Sequence, residues 1–330
     1  MRRAIFLISG GAALFAARAA RAQNDVDPAS SSQSPALRVL LGRGDAVATS
    51  AQSFTFRGQA YRGTFLRLDD GSIVNVVDLE AYLGSVVSRE MPTSWPEAAL
   101  QAQAICARTY VLQRSDPRRA YDLVPSELDQ VYLGISGESA AGVAAVDATR
   151  GSTLAFRGRY AAVAYSSCCG GHTESSADAW GGVPLPYLDG VVCTSCTDSP
   201  HYRWDATLSL DAIATPLAPS LPPGGRLSDV QIGGRDGSGR ARAFTLVTDR
   251  GSATISGSAF RRAAGTRVLP SLLIASLRRE GGTLALQGGG LGHGVGLCQW
   301  GARGMALAGR SCADILAFYF PGTVAQHLQF

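Results

Sequence analysis

The chain has 330 residues, 46% of them hydrophobic and 17% charged, with seven cysteines and a formal net charge of +4. That is enough apolar material for one large domain or two modest ones, each with its own core. All 30 basic residues are arginine, which excludes a catalytic lysine, and the four arginines among the first 22 residues account for the whole net charge; the neutral remainder argues against a nucleic-acid partner, because phosphate binding needs a basic surface.

Arg2 and Arg3, the apolar run Ala4–Ala17 and the Ala20-Arg21-Ala22 cleavage pattern read as a secretory signal peptide over residues 1–22, too short for a good membrane span. An exported protein of the periplasm or cell envelope is expected. Residues 23–36, polar and rich in Ser and Pro, read as a disordered lead. From Leu37 to Val77 short β-prone runs alternate with glycine turns. Asp78 then opens a helix over "LEAYLGSVVSRE". Ser94, with Glu97 three residues on, predicts a capping box for a second helix from about Trp95 to Gln113, with Leu100, Ala104, Ala107 and Val111 as its apolar stripe. Gln101 and Arg108, seven apart, would share another face. Ala140–Thr149 reads as helix, "STLAFRG" and "YAAVAYSS" as a strand pair, and about 203–287 as a β-rich insertion. Helices are expected over Leu297–Ala308 and Ala313–Phe320. The irregular interleaving predicts an α+β fold, mixed sheets with interleaved helices forming an open substrate groove, as one domain over 37–330.

Three constellations carry chemistry. Glu90 ends one helix just ahead of a Pro-containing turn, beside Met91 and near Val87 and Trp95. Such a carboxyl can be held protonated toward neutral pH by apolar surroundings and act as a general acid; the competing reading is an exposed corner carboxylate. The stretch Tyr165–Trp204 holds Cys168, Cys169, His172, Glu174, Asp178, Cys193, Cys196 and His201. Cys193-x-x-Cys196 has zinc-ligand spacing, with Cys168 and His172 as its weaker partners. Disulfides between the 168/169 and 193/196 pairs are ranked ahead of zinc in an exported chain. Cys106, mid-helix, is expected to be a plain buried thiol. The third is "GHGVGLCQWG", Gly292–Gly301, whose alternate glycines permit sharp turns or close approach to a ligand. His293 either serves a ligand there or is satisfied by backbone in a tight turn. The dinucleotide pattern G-x-G-x-x-G is not matched.

Taken together, "SREMPTSWPEAALQAQAICARTY", "DQVYLGISGE", "ATRGSTLAFRGRYAAVAYSSCCGGHTESSADAWGG", "PYLDGVV", "GHGVGLCQWGARGMALAG" and "ILAFYFPGT" resemble, in order, the stage II sporulation protein D and amidase-enhancer family of cell-wall proteins. The resemblance spans about Val76 to Thr323. It implies a lytic transglycosylase acting on peptidoglycan glycan strands, or else an enhancer of a separate wall amidase. The glutamate of the family's E-M-P motif falls on Glu90, and the arginine of A-R-T-Y on Arg108. His293 and Gln299 are expected to line the same groove, and Gln101, Gln103, His172 and Glu174 complete the expected substrate-binding set. No cofactor is expected: the His/Cys pattern that zinc-binding members carry ahead of Q-V-Y is replaced here by "VPSELDQVY".

Overall fold

The computed structural model describes residues 34–126 and 128–328, so the expected signal peptide and nearly all of the expected lead lie outside the described residues. In chain order the elements are β1 (Ala36–Arg43), β2 (Ala46–Ser50), β3 (Ser53–Phe56), β4 (Gln59–Arg62), β5 (Thr64–Arg67), β6 (Ser72–Asp78), α1 (Leu79–Glu90), α2 (Glu97–Arg114), α3 (Ala140–Ala148), β7 (Ser152–Phe156), β8 (Arg159–Tyr160), β9 (Tyr165–Ser166), α4 (Ser176–Trp180), β10 (Trp204–Ser209), α5 (Leu210–Leu217), β11 (Leu227–Arg235), β12 (Ala241–Thr248), β13 (Gly251–Ser256), α6 (Gly257–Ala264), β14 (Leu273–Glu280), β15 (Thr283–Gly289), β16 (Leu297–Cys298), α7 (Gln299–Leu307), α8 (Cys312–Tyr319) and β17 (Val324–His327). Helices interleave with small sheets, most of them antiparallel, so the fold is α+β as expected. The chain divides into two compact units, one built from residues up to Ala164 together with Met305–Phe330, the other from Tyr165–Gly304. The β-rich stretch about 203–287 lies inside the second unit.

In the first unit, β1 pairs antiparallel with β6, Leu37 opposite Val77 and Val39 opposite Asn75. Leu37 and Val39 alternate inward, as a half-buried strand requires. The end of the expected lead is held: Pro35 accepts a hydrogen bond from Leu79 N at 3.1 Å. Asp78 caps α1, its side chain accepting from Ala81 N at 3.0 Å. The expected capping box at Ser94 does not form. Helix α2 starts at Glu97 behind Pro96, with no side-chain cap, and Ser94 is exposed. Pro92 to Trp95 make a turn instead, closed by Trp95 N on Pro92 O at 3.0 Å, and Pro96 opens the helix with its fixed φ. Nor is α2 a striped surface helix. Its residues from Ala102 to Val111 are all buried, polar ones included, because small alanines let α1, α3, β7 and α8 pack around it.

The second unit has its own core. Leu208, Leu210, Ile213, Val230, Phe244, Leu246, Phe260, Ile274, Leu284 and Leu286 form one buried cluster between the β10-β15-β14 and β11-β12-β13 sheets and helices α5 and α6. Phe244 and Phe260 stack with ring centroids 4.1 Å apart. Strands β9 and β16 pair in parallel, Leu297 opposite Tyr165 and Cys298 opposite Ser166, which brings chain segments far apart in sequence side by side.

Candidate functional site

Glu90 is the last residue of α1, half-buried at the corner where the chain turns toward α2, with Met91 and Trp95 buried beside it. Its Oε1 accepts the Val131 backbone N–H at 3.2 Å. The segment that supplies this donor is pinned by buried polar side chains. Asp129 accepts from Tyr110 Oη at 3.1 Å and from Val124 N at 2.9 Å. Gln130 donates to Ala107 O at 3.3 Å and accepts from Tyr82 Oη at 3.1 Å. Tyr132 donates to Asn75 Oδ1 at 2.8 Å. Burial, then the nearby carboxylates Asp129 and Glu90 among other neighbours, push the Tyr82 phenol well above its usual range, so it stays a neutral donor. The "DQVY" stretch therefore reaches across from α2, α1 and β6 to fix one oxygen of Glu90.

Arg108 does not join it. The structure buries the expected substrate arginine completely and aims it at Glu80, Nε to Oε1 at 2.9 Å and Nη2 to Oε2 at 2.6 Å, with Nη1 on Ser152 O at 3.0 Å. This is a bidentate ion pair inside the first unit, the geometry for which a guanidinium is suited. Gln103 is buried as well, while Gln101 is half-buried and donates to Glu97 at 2.7 Å. The seven-residue spacing placed Gln101 and Arg108 on one face; the helix is enclosed, so that face is not a surface at Arg108.

In the second unit the glycine-rich segment forms a run of tight turns. Gly290, Gly292, Gly294 and Gly296 all have positive φ. A Cβ at Gly294 would lie 2.3 Å from Arg240 Nη2, and one at Gly292 would lie 2.8 Å from Ser166 Cβ. At these two positions the missing side chain makes room for the protein's own atoms. His293 is held by its neighbours: Nδ1 accepts Val295 N at 3.0 Å, which leaves the proton of the neutral ring on Nε2, and the ring also bonds the Tyr165 backbone. Burial, together with the positive charges of Arg261 and Arg240, lowers its pKa to about 3. Trp180 packs against it, centroids 5.1 Å apart. Of the two readings the sequence left open, these contacts match the backbone-satisfied histidine of a tight turn.

Glu174 and Gln299, also expected to bind substrate, are 5% and 4% exposed. Glu174 faces Arg240, Oε2 to Nε at 3.4 Å, yet its carboxyl is pushed up to about 8 by burial, with Asp236 and Asp178 adding to the rise against the pull of Arg240. Asp236, half-buried in the loop that also carries Arg240, is thus one of the groups that hold the Glu174 carboxyl protonated. Arg240 is itself buried and donates to Cys169 O at 2.7 Å and His172 O at 2.9 Å. His172 is half-buried, its Nδ1 2.6 Å from Thr173 O. Sequence reading missed Arg240, Asp236 and Arg261. The turn-forming "RDGSGR" was a visible signal for a loop, but nothing local shows that its arginine turns inward.

No disulfide joins the cysteines among the described residues. The expected 168/169-to-193/196 bridge is absent: Cys169 Sγ and Cys196 Sγ stand 3.7 Å apart, where a bond needs about 2.05 Å. Cys106 is buried in α2 as expected. The thiols that come together are Cys169, Cys193, Cys196 and Cys298, all buried, with sulfurs within 4.8 Å of one another. Neither His172 nor Cys168 belongs to this group of four; Cys298, 129 residues from Cys169, does.

An α+β protein with a helix-end glutamate fixed by a buried polar network is the class of molecule the first unit defines. The family model for Stage II sporulation protein (SpoIID) matches residues 69–156, which include α1, α2 and Glu90, and a domain of unknown function (DUF8618) matches residues 193–296. An uncharacterized protein of Brachyspira hyodysenteriae is 32% identical over 282 residues, covering 84% of this chain and 75% of that protein. Stage II sporulation protein D of Bacillus amyloliquefaciens is 29% identical over 78% of this chain and 76% of its own length. The amidase enhancer of Bacillus subtilis is 29% identical over 73% of this chain, and the match spans 40% of that longer protein. The chain belongs to the stage II sporulation protein D family.

Proposed function

We propose that this is an exported peptidoglycan-remodelling protein, a lytic transglycosylase that cleaves peptide-free glycan strands with Glu90 as its single acid–base group. The observation that carries the reading is Glu90 itself, half-buried at the corner after α1 and oriented by Val131 N–H within the part of the chain that the family model covers. Hydrolysis of a glycosidic bond normally takes two carboxylates at a set separation, whereas a transglycosylase manages with one. Glu90 donates its proton to the oxygen linking muramic acid to glucosamine, and that C1–O bond breaks. It then takes the proton of the sugar's own C6 hydroxyl, whose oxygen closes on C1 as a 1,6-anhydro ring. The acid ends protonated, ready for the next cycle, and no water is consumed. Proton transfer of this kind contributes about 10²–10⁴ in rate. With Oε1 anchored by a rigid backbone donor, the carboxyl keeps its aim between the two steps.

A second reading has its own observation. One relative bears the name amidase enhancer, so the chain is alternatively a partner that stimulates a wall amidase without cleaving glycan itself. Mass spectrometry of products from peptide-free strands separates the two. Anhydro-muramic ends made by the wild type and lost in Glu90→Gln, with strand binding retained, support the first. No products alone, but faster release of stem peptides by an added amidase, support the second.

A further inference from the structure

We propose that the second unit holds a structural zinc ion on Cys169, Cys193, Cys196 and Cys298. The sulfurs of these four buried residues lie within 4.8 Å of one another. Zinc–sulfur bonds of about 2.3 Å place the corners of a tetrahedron about 3.8 Å apart. The Cys169–Cys196 separation of 3.7 Å meets that edge and is far too long for a covalent bridge. An iron–sulfur cube spreads its cysteine ligands wider than this group allows, so a single ion is the fit.

The backbone is arranged for thiolates. Cys298 Sγ receives two peptide donors, Cys169 N at 3.2 Å and Gly301 N at 3.4 Å. Such bonds spread the negative charge that four sulfurs around a divalent ion carry, and they orient the ligands. Arg240 contributes positive charge one peptide away, through its bond to Cys169 O at 2.7 Å. Each ligand segment is itself anchored. Cys193 N bonds Gly171 O at 2.9 Å, and Ser199 N bonds Cys196 O at 3.1 Å to close the turn after the C-x-x-C pair. Helix α7 meets that turn so closely that a Cβ on Gly304 would lie 2.0 Å from Ser195 O.

The ion joins three segments remote in sequence: the chain after β9, the 193–196 turn and the end of β16 just ahead of α7. Those segments otherwise meet through the two-residue pairing of β9 with β16 and the contacts around it. A metal is worth most where few regular hydrogen bonds close a long loop. Cys168 packs against Cys196 and Cys298 at the edge of the group but is not one of its four sulfurs. In the proposed site it is a neighbour and not a ligand.

The test uses the full chain purified without chelator. Elemental analysis is expected to give about one zinc per chain, retained on dialysis and released when the thiols are modified. Cobalt exchanged into the wild-type protein is expected to show the intense visible bands of a tetrahedral tetrathiolate, a readout that does not depend on any variant folding. Cys168→Ser keeps the ion, and Cys298→Ser loses it along with cooperative melting of the second unit. Two disulfides and no metal in protein alkylated before reduction would overturn the site. So would iron in place of zinc, a cobalt spectrum lacking thiolate bands, or loss of the ion in Cys168→Ser with retention in Cys169→Ser.

Discussion

Arg108→Ala tests whether this arginine serves the substrate or the core. Its guanidinium is 0% exposed and Glu80 is 2% exposed, and the pair is joined by two bonds of 2.9 and 2.6 Å. Nη1 also satisfies Ser152 O, and Nη2 reaches Val146 O at 3.3 Å, so the arginine ties α2 to the end of α3 and the start of β7. Truncation leaves Glu80 as a buried carboxylate that retains the Gly151 N–H at 3.1 Å but has lost its counter-ion. Breaking one side of a buried pair costs about 3–5 kcal/mol. For a domain of roughly 150–250 residues, each kcal/mol lowers Tm by about 2–4 °C, so the melting point should fall by roughly 6–20 °C. Differential scanning calorimetry checks the fall, and glycan-strand binding at a temperature where the variant is folded checks the rest. Arg108→Lys keeps the charge but loses the fork, and should fall between the two. Arg108→Met with Glu80→Leu removes both charges and should recover much of the loss, because apolar residues of similar volume replace such pairs with little penalty. A wild-type melting point in Arg108→Ala, accompanied by weakened strand binding, would refute the reasoning and return the residue to the groove.

Glu90→Gln should lower the yield of anhydro-muramic products by about 10²–10⁴ while leaving the melting point nearly unchanged, since Gln still presents an oxygen to Val131 N–H; normal turnover would remove Glu90 from the chemistry. Glu174 should cost the second unit stability as pH rises from about 4.5 to 8, a fall unopposed by His293 above about 6.5. Glu174 titrates near 8 when folded and near 4.5 when unfolded, so the native state holds the extra proton in that window and its advantage disappears on the alkaline side. Melting curves of Glu174→Gln should lose that slope, and an unchanged slope would assign it elsewhere. His293 acts in the opposite sense at lower pH, because its folded pKa near 3 lies below the ordinary 6.5; the stability it confers is complete above 6.5 and is lost on acidification toward 3. Gly294→Ala should cost about 1–3 kcal/mol, measured by urea unfolding, because the position has φ +81° and its new methyl would meet the pinned Arg240; a neutral result would show that the loop relaxes freely.

Much of this protein was legible from local pattern. The 3.6-residue and two-residue periods, with Asp78 opening the first helix, predict α1, α7, α8 and the β-rich stretch to within a few residues. The order of the motifs was enough to point to the family. At Ser94 two prolines compete with a capping box for the same turn, and backbone restriction prevails.

What remained hidden depends on which side of each element faces the interior, and that is a property of neighbours remote in the chain. Arg108, Glu174, His293 and Gln299 carry the chemistry of a binding site in sequence. In the folded protein their partners are Glu80, Arg240, the Tyr165 backbone and a closed core. The cysteines divide the same way: C-x-x-C is visible as a pair, but Cys169 and Cys298 join it only after β9 and β16 align across more than a hundred residues. Residue type and spacing state what a side chain can do. Burial, and the cost of leaving a charge or a polar atom without a partner, decide what it does.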